Sequence, residues 1–378
     1  MSNFTNLKLK KIKLEKLGTL SIILIFGSIC FISNPAVSNA SAQSVLSITK
    51  GGTNANSMES AQKSLGAVET INGNVSDDKF LSSKAVYDYI DEVISPGEFV
   101  VSGSKTMHIS NNDLNFKKTW GDTNSPLIRN ITFGNKKFVA VGQNGSIIHS
   151  NDGINWLNSN TPSEMSSVYI TGIAWGQNKF LACTETGKVL TSNDGINFTT
   201  ATNSVPVYAY NIIYANNKWV LISASQVAIS DDGENWTITF SSGNNLRGIT
   251  YAAGKFIVGG KSQILYSYDA ISWSKASTSS PITGIVHGLT YSNILKAYVG
   301  IGYDSDQSFL SSDGVNWTVG QLPKSGYWNN VIYKTGKFVA VGSTIAYSYD
   351  GTNWTEVTNI DSPSNLYSSI VYVKDSDL

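Results

Sequence analysis

The sequence predicts an all-β fold, a seven-bladed β-propeller of four-stranded blades that spans residues 97–378. Three observations predict it. A short turn motif occurs seven times after residue 100, each repeat carries four short predicted strands, and the two ends of the repeat region complement each other. Four strands in a period of about 40 residues is the arrangement of one propeller blade.

The motif, which we call the repeated turn, has the pattern Ser-x-Asp-Gly-x-Asn-Trp in its clearest copies, such as Ser150 to Trp156. A copy that departs from this pattern lies at Ser110 to Phe116. The gaps between successive Asp residues are 37 to 44 residues, and these residues are Asp113, Asp152, Asp194, Asp232, Asp269, Asp313 and Asp350. Ser and Asp side chains satisfy backbone groups in tight turns, and Gly accepts a positive φ, so the motif predicts a structural role.

Each repeat also contains strand patterns on both sides of the turn. Residues 129–134 and 137–142 are alternating apolar and aromatic runs separated by Asn135 and Lys136, which indicates two strands joined by a hairpin. A third strand is predicted at residues 146–149 and a fourth begins near Trp156. The repeat therefore predicts four strands for each blade.

The ends of the repeat region predict that the ring closes. The first repeat begins at residue 97 and lacks a first strand, whereas residues 367–373 form a first strand with no repeat after it. The C-terminal strand is therefore expected to complete the N-terminal blade, which leaves no exposed sheet edge at the junction. Six complete blades and one shared blade make seven.

The N-terminus predicts export. Five Lys residues precede an apolar run from Leu17 to Ile32, and Ala40-Ser41-Ala42 follows it. Residues 1–42 are therefore expected to be a signal peptide cleaved before Gln43, although an uncleaved anchor stays open. The remaining chain has 22 basic and 26 acidic residues, a balance that predicts no nucleic-acid partner, and no membrane span is expected after cleavage. It also has a single cysteine, Cys183, so no internal disulfide can form.

Residues 43–96 lack the repeat and are expected to form a stalk or linker with helices near Ser57 to Leu65 and Ser82 to Ile94. The segment TKGGTNANSMESAQKSLGA, which begins at Thr49, resembles a short repeat of phage tail-fibre proteins. That resemblance implies an elongated stalk, usually trimeric in such proteins, and leaves a trimer open here.

The repeated turns resemble the Asp boxes, or BNR repeats, of sialidase-like propellers, and the resemblance covers residues 97–378. Every copy is one residue shorter than the usual Ser-x-Asp-x-Gly-x-x-Trp box. The resemblance implies that the box joins the third and fourth strands of a blade on the face opposite the ligand site.

Several enzyme classes are disfavoured. In the resembled family, sialidases hold the substrate carboxylate with three arginines, and this chain has only Arg129 and Arg247. The seven predicted inner strands contain no Asp or Glu for a glycosidase pair, so only the loop acids Glu185, Asp304 and Asp306 remain open for such a role. The three His residues lack metal-ligand spacing, and no cofactor or metal is expected.

One position of the repeat varies in chemistry while its surroundings stay constant. It opens each inner strand, and it is occupied by Arg129, Thr171, Tyr210, Arg247, His287, Asn329 and Ser368. A propeller places this position at the mouth of its channel. Aromatic residues occupy the nearby connections between blades, namely Trp120, Tyr169, Tyr208, Tyr327 and Trp328. The residues predicted to bind ligand are Arg129, Tyr210, Arg247, His287 and Trp328.

These observations favour a secreted or surface-displayed, non-catalytic adhesion propeller that recognises a glycan or glycoprotein. Two alternatives stay open. The first is a glycoside hydrolase-like enzyme, which needs a pair of acids in the mouth. The second is an assembly factor that binds a protein partner, which a large apolar patch on one face would favour.

Overall fold

The computed structural model describes residues 97–205, 208–364 and 366–378, together with three short N-terminal strands. These strands are β1 Leu20–Ile25, β2 Ser28–Ser33 and β3 Leu46–Ser47. They pair antiparallel in the order β1-β2-β3. The chain divides into two units, Met1–Lys84 and Ala85–Leu378. Apart from β1 to β3, the expected signal segment and stalk, with both predicted stalk helices, lie outside the described residues.

In the second unit, blades 2 to 5 are separate four-stranded antiparallel sheets, each ordered from its first strand at the channel to its fourth at the outside. Blade 2 contains β7 Ile128–Gly134, β8 Lys137–Gly142, β9 Ile147–Ser150 and β10 Leu157–Asn158. Blade 3 contains β11 Ile170–Gly176, β12 Lys179–Thr184, β13 Val189–Ser192 and β14 Thr199–Thr200. Blade 4 contains β15 Ala209–Ala215, β16 Lys218–Ser223, β17 Gln226–Ser230 and β18 Thr237–Ser241. Blade 5 contains β19 Gly248–Ala252, β20 Lys255–Gly260, β21 Gln263–Ser267 and β22 Ser274–Lys275.

Blades 6 and 7 contain two long strands, of which β26 belongs to both blades. Their strands are β24 Ile285–Ser292, β25 Ala297–Ser311, β26 Asn316–Lys334, β27 Lys337–Gly342, β28 Ile345–Ser348 and β29 Thr355–Glu356. The first part of β26 is the fourth strand of blade 6, and its last part is the inner strand of blade 7. The preceding short strand, β23 Ser277–Thr278, pairs parallel with the start of β26.

Blade 6 takes its second and third strands from β25. The chain reverses direction within β25. The reversal brings Gly300 beside Phe309, and an ideal Cβ on Gly300 would lie 3.4 Å from the Cβ of Phe309. At the reversal, Tyr303 pairs with Tyr327 and Ser305 pairs with Gly326, so the hairpin of blade 6 is joined to the connection that leads into blade 7.

Blade 1 is built from both ends of the second unit, as the sequence predicted. Its strands are β30 Tyr367–Lys374, β4 Gly97–Gly103, β5 Met107–Ser110 and β6 Lys117–Trp120, in the order β30-β4-β5-β6. Seven register pairs join β30 to β4, from Tyr367 opposite Gly103 to Lys374 opposite Gly97. Consecutive inner strands contact one another all round the ring, including β30 with β7. The seven-bladed all-β propeller predicted from the repeat is confirmed.

The core consists of layers between blades, because each apolar cluster combines residues from two neighbouring blades. In every blade an aromatic residue of the inner strand packs on an aromatic residue of the second strand, with ring centroids 4.4–4.9 Å apart. These pairs are Tyr372–Phe99, Phe133–Phe138, Trp175–Phe180, Tyr214–Trp219, Tyr251–Phe256, Tyr291–Tyr298 and Tyr333–Phe338. Large rings at a fixed repeat position thus fill the same gap in each blade.

The repeated turns join the third and fourth strands, and we call their side of the propeller the turn face and the opposite side the mouth face. In the six regular copies, the Ser hydroxyl donates to Asp Oδ1 at 2.9–3.0 Å. The same Oδ1 accepts two backbone N–H groups at 2.8–2.9 Å. The residue after Asp has a positive φ, from 62° at Ala270 to 80° at Gly351, which explains the preference for Gly.

The irregular first copy keeps part of this arrangement. Asp113 Oδ1 accepts the N–H of Asn115 at 3.0 Å and lies 3.4 Å from the Ser110 hydroxyl, and Leu114 takes the positive φ of 59°. Among the regular copies, burial raises the pKa of Asp152, but hydrogen bonds from Asn155, Ile154 and Ser150 outweigh it and lower the pKa to about 2. The turn therefore stabilises the ionised carboxylate.

Deletion of residues 367–378 should unfold or aggregate the protein, because blade 1 would lose its inner strand and β4 would become an exposed edge. Thermal melts of the full chain and the shortened chain check this. A shortened chain that melts within a few degrees of the full chain would contradict the shared blade.

Replacement of Asp152 by Ala should lower the free energy of unfolding at pH 7 by about 1 kcal/mol, the usual net contribution of such hydrogen bonds. Because the folded pKa is depressed, this contribution is present above the unfolded pKa of about 4 and is lost as the pH falls towards 2. Urea unfolding at several pH values measures the difference.

Asp231→Ala is the matched control. Asp231 is the second residue of the repeated turn in blade 4, its side chain is 83% exposed, and that side chain makes a surface ion pair with Lys218. Its unfolding free energy should stay within about 0.5 kcal/mol of the parent. Equal effects of both substitutions, or an Asp152 effect that does not change with pH, would argue against the turn as the cause.

Candidate functional site

The variable position that opens the inner strand is a β-bulge. Arg129, for example, is left out of the pairing between Ile128–Gly142 and Asn130–Val141. The same irregularity lies at Thr171, Tyr210, His287, Asn329 and Ser368. Arg247 directly precedes β19 and donates its N–H to the carbonyl of Gly259, the residue that Gly248 also pairs with. A bulge releases one residue from the ladder and redirects its side chain.

All seven variable residues line one cavity on the propeller axis at the mouth face, with a volume of about 40 Å³. We call it the mouth cavity. Its complete lining is Arg129, Asn130, Thr171, Tyr210, Asn211, Arg247, Ile249, His287, Leu289, Asn329, Asn330, Ser368 and Ser369. Four of the five predicted ligand residues therefore meet in one place. A space of this size holds roughly three waters or a small polar group.

Arg129 reaches across the cavity from blade 2 to blade 6. Its guanidinium donates to Nε2 of His287 at 3.3 Å, while Nδ1 of His287 donates to the carbonyl of Asn329 at 2.6 Å. Burial, followed by the charge of Arg129, lowers the pKa of His287 to about 3. The imidazole is therefore neutral at physiological pH, and its Nε2 lone pair is available to the guanidinium.

Arg247 is held in a different way. Its guanidinium carbon lies 3.5 Å from the ring centroid of Tyr210 in the neighbouring blade, which is a cation–π contact. No hydrogen bond joins the Arg247 side chain to another described residue. A guanidinium that stacks through its face keeps the N–H donors at its edge for an acceptor.

Three aromatic rings lead from the cavity to the surface of the mouth face. His287 stacks on Tyr303 with centroids 5.5 Å apart and an interplanar angle of 29°, and Tyr303 lies 4.8 Å from Tyr327 at 32°. Tyr327 is 46% exposed. We call these rings the aromatic stack. The strand pairing of Tyr303 with Tyr327 fixes their positions.

Amide side chains line the floor of the mouth cavity. Asn130 contacts the side chain of Asn211 at 3.5 Å, and Asn330 donates to the Ser369 hydroxyl at 3.0 Å. Beyond this level a second cavity of about 290 Å³ continues along the channel, with Trp175 and Tyr214 among its lining residues. The polar floor separates a narrow space at the mouth face from a wider one towards the turn face.

Trp328 does not line the mouth cavity, which corrects its prediction as an exposed ligand anchor. Its side chain is fully buried in the core between blades 6 and 7, and Nε1 donates to the carbonyl of Lys324 at 3.1 Å. Trp328 still pairs with Gly342 in the ladder, whereas the bulge begins one residue later at Asn329. Side chains before and after the start of a bulge point in different directions.

The remaining chemistry-bearing residues do not gather at the cavity. Glu185 accepts the N–H of Tyr169 at 3.1 Å, and Asp306 accepts from Gln321 at 3.1 Å, but neither acid lines the cavity. His108 and His149 are buried and contact local groups elsewhere. Among the described residues, no group of three His, Cys, Asp or Glu side chains could hold a metal ion.

No role is predicted from the sequence for two parts of the site. Tyr303 is the central ring of the aromatic stack, yet it lies in a hairpin that no repeat alignment places beside His287. The amide floor could have been found, because the residue after each variable position is Asn, Gly or Ser in all seven repeats. That small or polar position lies directly below the cavity.

No family model and no curated protein sequence matches the chain. Solved β-propeller structures are similar in fold. YCF48 from Cyanidioschyzon merolae is 12% identical with a TM-score of 0.50, covering 62% of this chain and 85% of that one. YCF48 bound to D1 peptide is 13% identical with a TM-score of 0.52, covering 71% and 89%. Virginiamycin B lyase from Staphylococcus aureus is 11% identical with a TM-score of 0.54, covering 63% and 85%. Identities this low establish the fold alone.

One further finding concerns membranes. No helix in the part of the chain that the structure describes is long and apolar enough to cross a bilayer.

Replacement of Trp328 by Ala should lower the free energy of unfolding by about 3–5 kcal/mol, because it leaves a large cavity in the core between blades 6 and 7. Tyr208→Ala is the control, since Tyr208 is also an aromatic residue near the start of an inner strand but is 70% exposed, and it should change stability by less than about 0.5 kcal/mol. Urea unfolding distinguishes them. Equal stability of the two variants would place Trp328 outside the core.

Proposed function

We propose that the protein is a non-catalytic binding propeller that recognises a glycan or glycoprotein at the mouth cavity. The observation that carries this proposal is the convergence of the seven variable residues, which are of six residue types, on one cavity. The surrounding scaffold repeats from blade to blade, whereas these residues do not. A cavity lined by different side chains from each blade of a repeating scaffold suits one asymmetric ligand.

The chemistry of the mouth face supports a sugar ligand. Apart from Ile249 and Leu289, every residue that lines the cavity carries a polar group. The aromatic stack offers a flat ring surface beside these groups, as sugar binding requires. Asn329 adds a buried side-chain oxygen with no hydrogen-bond partner among the described residues, an acceptor that suits a hydroxyl donor.

A glycoside hydrolase-like activity has less support. Catalysis by a carboxylate pair needs two acids on either side of the bond that breaks, and the two carboxyl groups lie about 5–10 Å apart in such enzymes. No Asp or Glu lines the mouth cavity. Glu185 and Asp304 are exposed and lie outside this lining.

Binding of a protein partner is the second candidate. YCF48, which is similar in fold, has been determined bound to D1 peptide. Exposed Tyr and Ile side chains also occur on the turn face of this propeller, namely Ile154, Tyr268, Ile271 and Tyr349. These side chains lie on the turns of blades 2, 5 and 7, where a protein partner would contact them away from the mouth cavity.

We further propose that the chain is exported and belongs with the Asp-box propellers of the sialidase-like superfamily. The hydrogen bonds of the repeated turns support the second point, since Ser, Asp and Gly take the roles that a tight structural turn needs. Residues 43–96 would then serve as the stalk that presents the propeller at the cell surface or outside the cell.

A glycan array probed with the full chain tests the proposed function. Tyr327→Ala should weaken binding of the retained glycans by about threefold to tenfold, the range expected for one lost aromatic contact. Tyr349→Ala is the matched control, because it removes an equally large Tyr that is 63% exposed on the turn face. Loss of binding in the control alone, or no glycan retained by the parent, would contradict a glycan site at the mouth.

A further inference from the structure

On the premise that the mouth cavity is the site of the proposed function, we propose that its ligand is an acidic glycan, whose anionic group binds the guanidinium groups of Arg129 and Arg247. The only two arginines of the chain line this one cavity, although they lie 118 positions apart on blades 2 and 5. Positive charge elsewhere in the chain is carried by Lys.

The two arginines have no carboxylate partner at the cavity. No acidic residue occurs in its lining, and neither arginine forms an ion pair with any residue that the structure describes. Burial lowers the pKa of Arg129, and the charge of Arg247 lowers it further. Two like charges that are partly removed from water and left without a counterion cost free energy, and a bound anion would relieve that cost.

Both guanidinium groups are held so that they still have donors to offer. Arg129 uses one nitrogen for His287, and Arg247 rests its face on Tyr210. A guanidinium carries five N–H donors in one plane and pairs with a carboxylate or sulfate through two of them. His287 is neutral and therefore orients Arg129 without adding a competing charge.

The size of the cavity limits what enters it. About 40 Å³ accommodates a small charged group but not a whole sugar ring, so the ring must remain above the cavity at the mouth face. The aromatic stack ends there at Tyr327, half exposed and next to the blade 6 hairpin. A pyranose ring can pack on this Tyr while its charged substituent points down to the arginines.

A glycan fits these features better than the carboxylate of a peptide. A peptide usually binds along a free strand edge or in apolar pockets for its side chains. Each inner strand pairs with the second strand of its blade, and its other edge faces the neighbouring inner strands around a space of only about 40 Å³, which does not admit an extended peptide. Ile249 and Leu289 are the only apolar residues of the lining. The mouth instead offers hydroxyl and amide groups beside an aromatic surface.

The test uses matched pairs of immobilised glycans that differ only in charge, namely uronate-containing oligosaccharides with their methyl esters and sulfated oligosaccharides with their desulfated forms. The full chain should retain the charged members and bind them about tenfold or more tightly than the neutral ones. Arg129→Gln and Arg247→Gln should each remove most of that preference. Lys275→Gln, which removes the same charge from an exposed position of the outer strand of blade 5, should leave binding within about twofold.

A second arm needs no variant. Free glucuronate should displace a retained charged glycan from the parent protein, and glucose at the same concentration should not. Thermal melts of the Gln variants, compared with Arg129→Lys and Arg247→Lys, establish whether any loss of binding reflects unfolding. A Lys variant that keeps its charge but loses the two-donor fork should bind with intermediate strength.

The outcomes separate this inference from the function on which it rests. Equal binding of charged and neutral glycans, unaffected by either Gln substitution, overturns the acidic ligand but leaves a glycan site. Retention of no glycan, together with binding of a peptide carboxylate that both Gln variants abolish, overturns the acidic glycan and favours the protein partner. Preference for charged glycans that is lost in both Gln variants and kept in Lys275→Gln supports the inference.

Discussion

The antiparallel pairing of β30 with β4 is the contact on which the rest of the molecule depends. Each apolar cluster lies between two blades, so every blade needs a neighbour on both sides to bury its faces. Without β30, blade 1 would lose the strand that contacts both β7 and β26. Seven register pairs contributed by opposite ends of the second unit therefore hold together an interface that runs round the whole ring.

The mouth cavity depends on a second, local device. In six of the seven blades a bulge at the head of the inner strand takes one residue out of the ladder, so its side chain can change without disturbing the hydrogen bonds of the sheet. In blade 5 the corresponding residue, Arg247, directly precedes the inner strand. The two flanking residues vary less in chemistry. The residue before the variable position is apolar or aromatic in every repeat, and the residue after it is Asn, Gly or Ser. The variable residue carries the chemistry of the site, and the residues on either side of it maintain the strand. Arginines at this position of two distant blades therefore leave the strand pairing of the repeat unchanged.

The sequence predicted the blade count and the position that lines the cavity, because both follow from a pattern that repeats seven times. It predicted the shared first blade because the two ends of the repeat region complement each other. The prediction that Trp328 lies at the mouth is wrong, although the repeat pattern indicates that it is buried. The residue before each bulge is apolar in all repeats, and all of them are buried, namely Ile128, Ile170, Ala209, Leu246, Val286, Trp328 and Tyr367. Tyr303 could not have been found, since its place beside His287 follows from a pairing with Tyr327 that occurs in one blade only.

The position of Gly97 has a mechanical consequence. Gly97 pairs with Lys374, at the end of β30 that lies farthest from the mouth, so Gly97 itself lies on the turn face. A tension that enters at Gly97 and is resisted by a ligand at the mouth acts along β4, which has β30 on one side and β5 on the other. Antiparallel ladder bonds lie perpendicular to their strands. The pull would therefore shear two rows of bonds at once rather than open them singly, and shear is the direction in which the paired strands resist separation more strongly.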